Sequence, residues 1–157
     1  MREIKFRGQI NNVITDNEGN VIKEFKSWVY GDLLHRPNGV LHLLTLKDEG
    51  FYENNVIDPD TIGQFTGLKD KSGEEIYEGD IISVNGKYPK LIRYIDEWAS
   101  YCLANLTDLD CDLKTRYWQQ VSPCWWTDYK REIKVIGNVY DNPELLKGGE
   151  KNESNNY

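Results

Sequence analysis

Asp108, Asp110 and Asp112 in "DLDCD" recur at every second position. On a strand such residues share one face, and a hard cation needs convergent oxygens of this kind. A calcium loop starting at Asp108 requires glycine at its sixth position and glutamate at its twelfth. This chain has Leu113 and Gln119 there, so the run reads as a solvated acidic loop. Cys102, Cys111 and Cys124 are separated by eight and twelve residues, with no C-x2-C knuckle, and His35 and His42 lie far away in sequence. Zinc would need assembly across the fold, and the three thiols read as small hydrophobes. Glu74, Glu75, Glu78 and Asp80 crowd one short stretch. Acid–base work needs one of them desolvated, and the adjoining "DKSG" predicts an exposed turn instead. The glycines of "DNEGN", "KDKSGEE" and "VNGKYP" do not follow a phosphate-binding pattern. No catalytic residue, metal or cofactor is assigned, and the expectation is a protein that is not an enzyme.

The stretch "RYWQQVSPCWWTDYKR" is not explained so simply. Tyr117, Trp118, Trp125, Trp126 and Tyr129 stand between Arg116 at one end and Lys130 and Arg131 at the other. Aromatics beside cations can stack bases or sugars. They can equally fill a core, or anchor a subunit or partner interface, where tryptophan is enriched. In an extended segment the adjacent Trp125 and Trp126 point to opposite faces, so both cannot fill one side of a sheet. That geometry predicts one of them buried between chains.

These residues must be carried by strands. Long windows with helical periodicity are absent, whereas "REIKFRGQI" alternates apolar and charged residues. "SWVYGDLL" and "VLHLLTL" flank "HRPNG", "DKSG" separates "IGQFTGL" from "EEIYEGDIISV", and "REIKVIGNVY" closes the ordered part. Short strands punctuated by Gly, Asn, Asp and Pro mean an all-β sandwich or small barrel. "DNPELL" reads as one helical turn, with Asn142 as N-cap and Pro143 at the first position. "KGGEKNESNNY" reads as a disordered tail over residues 147–157.

Two elements recur in the same order. "WVYGDLLHRPNG" and "EIYEGDIISVNG" share Tyr, Gly-Asp, two aliphatics and Asn-Gly; "TIGQFT" and "VIGNVY" share Ile-Gly, an amide residue and an apolar one. Gly31 and Gly79 are expected in turns closed to residues with a Cβ, and Asp32 and Asp80 to bond nearby backbone amides as structural turn residues. The pattern predicts two small SH3-like barrels in tandem, with a single mixed β domain as the alternative. The expected division is residues 1–67, an N-terminal β subdomain, and 68–146, a C-terminal SH3-like subdomain. About residues 94–129 would be an aromatic-rich insertion projecting from that second barrel.

"MREIKFRG", "WVYGDLL", "IGQFTGLKDKSGEEIYEGDII" and "EIKVIGNVYDNPELL" together resemble the YopX family of phage and prophage proteins. The resemblance covers most of the chain outside residues 94–129. It implies a β-rich fold with SH3-like character, coding by a phage or prophage, and self-association. It implies no activity, and carries over no site residue.

The formal net charge of −7 over 157 residues repels phosphate backbones at long range and disfavours general nucleic-acid binding. No stretch approaches a membrane span, "MREIKFRGQI" carries no signal-like apolar run, and the odd number of cysteines fits reduced thiols. The expectation is a cytoplasmic binding or assembly module that engages a protein or itself. The alternative is a single-stranded nucleic-acid binder using the aromatics of residues 116–131.

Overall fold

In the computed structural model of the protein, residue 1 and residues 3–149 are described. The chain is all-β apart from short helical turns, and divides into two compact units, Met1–Gly67 and Leu68–Tyr157. Its antiparallel strands form two sheets, of six strands in the order β4-β3-β2-β1-β5-β6 and five in the order β10-β9-β8-β7-β11. Neither order returns to its first strand, so no closed barrel is present among the described residues. Among these residues no helix is long and apolar enough to cross a membrane.

The first unit is a run of hairpins: β1 (Phe6–Thr15), β2 (Val21–His35), β3 (Leu41–Leu46), β4 (Tyr52–Val56) and most of β5 (Asp58–Lys69). The β1–β2 register runs unbroken from Phe6↔Gly31 to Ile14↔Lys23. Leu43, Ile57 and Phe65 are its buried apolar residues.

The second unit holds β6 (Glu75–Tyr77), β7 (Asp80–Val84), β8 (Lys87–Ile95), β9 (Ser100–Asn105), β10 (Gln119–Gln120) and β11 (Ile133–Asn138). The short helix α1 (Pro123–Thr127) precedes β11. Alternation along β7 and β8 sends side chains to both faces of this sheet. Ile82, Ile92 and Leu103 join Ile76 and Ile133 in one core cluster. Ile81 and Leu91 join Leu106 in another, covered by Trp118, Leu113 and Leu145. Leu145 comes from the 3-10 helix Pro143–Gly149, the turn expected of "DNPELL". The Asn142 side chain faces backwards and accepts the Asn138 N–H at 3.2 Å. The tail expected over residues 147–157 lies outside the described residues, except for the end of that helix.

Among the described residues one turn is used five times. In Asp16–Asn20, Arg36–Val40, Lys47–Phe51, Asp70–Glu74 and Asp110–Lys114 the first N–H donates to the fifth carbonyl, and the fourth N–H to the first carbonyl. The fourth residue has positive φ: Gly19, Gly39, Gly50, Gly73 and Leu113. Where the first residue is aspartate, one carboxylate oxygen accepts the third and fifth N–H groups, as Asp16, Asp70 and Asp110 do at 2.7–2.9 Å. This is the three-residue hairpin loop with a left-handed fourth position.

The expected equivalence of the two halves fails. Gly79 does sit in a turn, at φ +86, and Asp80 is buried with its carboxylate accepting the Tyr77 N–H. Gly31 and Asp32 instead lie within β2, where Asp32 is an exposed residue opposite Leu44. Glycine is needed at 31 for close approach, since a Cβ there would stand 2.1 Å from the Leu44 carbonyl oxygen. The same dipeptide therefore answers two different steric demands, and the tandem repeat is not a structural one.

Residues 94–129 are also not a projecting insertion. Their first part continues β8 and forms β9, which pairs with it from Ile95↔Ser100 to Lys90↔Asn105. Cys102, Leu103 and Ala104 are buried there. A central strand was hidden in the aromatic-rich stretch because no Gly or Pro marks its ends.

A cation and aromatic cleft as the candidate functional site

After β10 the chain reaches Ser122-Pro123, and proline at the first helical position starts the single turn of α1. The turn places Trp125 and Trp126 side by side, rings 5.0 Å apart and edge to face, both packed on the cluster of Ile76, Ile82, Ile92, Leu103 and Ile133. The expected opposite-face geometry is thus overturned: residues one apart on a helix are about 100° apart, not 180°. Both tryptophans cover the same core.

Arg131 fastens this turn. Its guanidinium lies 4.6 Å over the Trp125 ring, donates to the Trp125 carbonyl at 2.7 Å and stands 3.6 Å from the Asp128 carboxylate. Asp128 in turn accepts the Lys130 N–H at 3.0 Å, closing the loop that presents Tyr129. Tyr129 is 90% exposed, with the Lys130 ammonium 5.7 Å from its ring.

The loop forms one wall of an open cleft of about 510 Å³. The facing wall carries Lys69, Asp70 and Lys71, and Asn85 closes one end. Backbone bonds set the walls: Lys71 N–H to Ile133 O at 3.0 Å, and Asn85 N–H to Glu132 O at 2.7 Å. The Asn85 side chain accepts the Glu132 N–H at 2.7 Å. Lys69, Lys71, Lys130 and Arg131 line this space together with Asp70, Asp128 and Glu132. The Asp70 carboxylate is taken up by three backbone N–H groups, those of Ser72, Glu74 and Val135. Lys71 is paired with Glu132 at 3.1 Å and Arg131 with Asp128, whereas Lys69 and Lys130 have no ion-pair partner among the described residues. The cleft is a locally cationic spot with an aromatic wall, in a chain of charge −7.

The aromatics expected to act together are divided. Trp126 and Tyr129 line the cleft. Trp118 packs on the cluster of Ile81, Leu91 and Leu106, away from Trp125 and Trp126, which cover Ile82 and Ile92. Tyr117 is half-exposed, held by the Arg116 guanidinium 5.1 Å from its ring. Residues 116–131 are therefore not one platform. Lys69 and Lys71 were missed in the sequence because they flank a turn and read as solvated.

The other chemical groups have structural places. Asp110 closes its turn, and Asp108 accepts the Asn105 side-chain amide at 2.8 Å. Cys102 is buried, Cys111 and Cys124 are exposed, and all three are free thiols. No group of three or more His, Cys, Asp or Glu is placed to hold a metal among the described residues. The stretch Glu74–Asp80 is not the exposed turn expected throughout. Glu75 accepts the Tyr77 hydroxyl at 2.8 Å, and Glu78 accepts the Tyr94 N–H at 3.2 Å. Burial pushes the Glu78 carboxyl above its ordinary range, against the opposing pull of that N–H and of Arg93.

No curated protein matches this chain. Among solved structures it is similar to protein EF1440 from Enterococcus faecalis, at 21% identity over 93% of this chain and 99% of that one, with a TM-score of 0.43. The family described as YopX protein matches residues 14–147. Spanning that much of the sequence, the match establishes that the chain belongs to the YopX family.

Proposed function

We propose that the chain is a non-enzymatic binding module whose second unit holds an acidic segment of a protein partner in the cation and aromatic cleft. One observation carries this reading: in a protein with seven excess negative charges, four cations border a single cleft, and two of them lack an ion-pair partner among the described residues. Opposite local charge steers an acidic partner towards such a spot, and an exposed tyrosine supplies contact area at low entropic cost. Walls fixed by backbone hydrogen bonds reduce the ordering cost of binding. In this reading the second unit is a small SH3-like module, with bulges in β8 and β11 bending its sheet. Coding by a phage or prophage, and action in the host cytoplasm, belong to the same proposal and follow the family resemblance.

A second reading has the same cleft as its motive. Trp126 and Tyr129 beside Lys130 could stack the bases of a single strand. Fluorescence anisotropy separates the two, using a labelled oligoglutamate peptide and a labelled oligodeoxythymidine. The expected result is salt-sensitive binding of the peptide, weakened about tenfold by Lys69→Glu with Lys130→Glu, since each exposed pair contributes up to about 1 kcal/mol. Binding of the oligonucleotide alone supports the second reading. Binding of neither refutes both.

A further inference from the structure

A second hollow, a groove of about 480 Å³, opens in the second unit beside the cluster of Ile81, Leu91 and Leu106, away from the cluster that Trp125 and Trp126 cover. Three local devices build it. A 3-10 turn over Leu106–Asp108 ends where the Leu109 N–H donates to the Leu106 carbonyl at 3.3 Å. The Asp110–Lys114 turn follows at once and supplies Asp110, Cys111 and Leu113. The 3-10 helix Pro143–Gly149, in contact with the turn at Leu106–Asp108, adds Pro143, Leu146 and Lys147. Leu106 is buried, whereas Leu109, Leu113 and Leu146 pack on its cluster and stay partly exposed.

Leu113 is the informative residue. In the four other turns of this kind the fourth position is glycine, and here a leucine holds φ +58. A side chain in the left-handed region carries a conformational cost, and such costs persist where the side chain is needed. This one lines the groove. The two charged residues of the lining are not equivalent. One Asp110 carboxylate oxygen already accepts the Asp112 and Lys114 N–H groups, at 2.9 and 2.8 Å. Lys147 has no ion-pair partner among the described residues. The uncommitted charge is therefore a cation beside an apolar trough.

We propose that this groove binds an aliphatic carboxylate, a fatty acid of medium chain length, with its chain along Leu106, Leu109, Leu113 and Leu146 and its head at Lys147. The volume falls in the range of about 300–1,000 Å³ usual for small-molecule sites, which are mostly apolar with a few polar groups that fix orientation. An anionic head complements the lysine, and an alkyl chain gains by leaving water for the leucines. The groove shares no residue with the cation and aromatic cleft, and its occupant does not depend on that site.

The chain carries its own reporter. Cys111 is an exposed thiol of the groove, and Cys124 is an exposed thiol outside it. The test is the rate of iodoacetamide alkylation at each, read by peptide mass spectrometry on the full chain. Decanoate, below its micelle concentration, is expected to slow alkylation of Cys111 about tenfold once present at about ten times its Kd, with Cys124 unchanged. Decyltrimethylammonium, with the same chain and the opposite head, protects Cys111 far less. Lys147→Glu reverses that preference, and the reversal also proves that the variant is folded. Cys111 left unprotected by decanoate overturns the proposal. So do equal protection by the two heads, equal slowing of Cys124, or an unchanged preference in Lys147→Glu. A Cys111 that reacts only after residues 150–157 are removed places the chain's own C-terminal segment in the groove, and overturns it as well.

Discussion

The Asp80 carboxylate accepts the backbone N–H of Tyr77 at 2.7 Å, with Asp80 itself 1% exposed. The bond joins the end of β6 to the start of β7, across the positive-φ turn at Gly79. A buried N–H that loses its acceptor retains the cost of desolvation. Asp80→Ala is therefore expected to lower stability by about 1–3 kcal/mol. Asp32→Ala, on an exposed strand position, should stay within about 0.5 kcal/mol. Urea unfolding of both variants measures the contrast, and equal losses would restore the equivalence of the two Gly-Asp segments.

Gly73 has φ +86 and open space where a Cβ would go. Its substitution therefore reports backbone conformation without steric crowding. Gly73→Ala should cost about 1 kcal/mol, read as a shift in the urea midpoint at unchanged slope. Leu113 occupies the same position of its own turn at φ +58, and packs on Ile81, Leu91 and Leu106. Leu113→Gly relieves the backbone but removes that packing. The expected net is a loss of about 1 kcal/mol, because truncating a half-buried leucine that packs on this cluster costs more than the left-handed conformation. A gain in stability would show that the packing contributes little.

Glu78 gives a pH dependence. Burial raises its folded carboxyl above the ordinary value of 4.5. The folded state then holds its proton to higher pH than the unfolded state, so the contribution is favourable below 4.5 and is lost as pH rises through the folded value. Glu78→Gln should accordingly unfold later than the parent at neutral pH, with the advantage vanishing well below 4.5. Thermal unfolding at the two conditions checks this, and a variant less stable at neutral pH contradicts it.

Trp125→Ala should lower stability by about 3 kcal/mol, through lost packing on Ile82, Ile92 and Leu103 and the loss of the ring under Arg131. Its mass in light scattering should equal that of the parent. A variant that keeps its melting temperature but loses mass would return Trp125 to an interface.

Most strands were legible in the sequence because alternation and turn chemistry agree locally. "DNEGN" and "DKSG" announce hairpins through an aspartate acceptor and a glycine three residues later. "SYCLAN" was not legible as a strand, having no punctuation and lying among tryptophans. The helical turn of α1 was missed as well, although Ser122-Pro123 is a readable start signal. Trp126 and Tyr129 could be found as candidates from residue type alone. Lys69 and Lys71 could not, because the Lys71–Ile133 hydrogen bond that brings them to the cleft joins segments about 60 residues apart. Local chemistry is written locally; a site assembled by long-range pairing is not.

The fivefold use of one tight turn bears on the order in which the molecule is made. Each of these loops closes with its own hydrogen bonds, and hairpins of this kind form on the microsecond scale. The first unit needs little more than a succession of them. In the second unit β11 must find β7, with Ile133 against Val84 about 50 residues earlier, and that loop closure comes at a higher entropic cost. The expected sequence of events is early hairpins and a late β7–β11 seam, with the walls of the cleft brought together only at that last step. Pulse-labelled hydrogen exchange that protects Ile133 and Val135 before the β3–β4 hairpin would reverse this order.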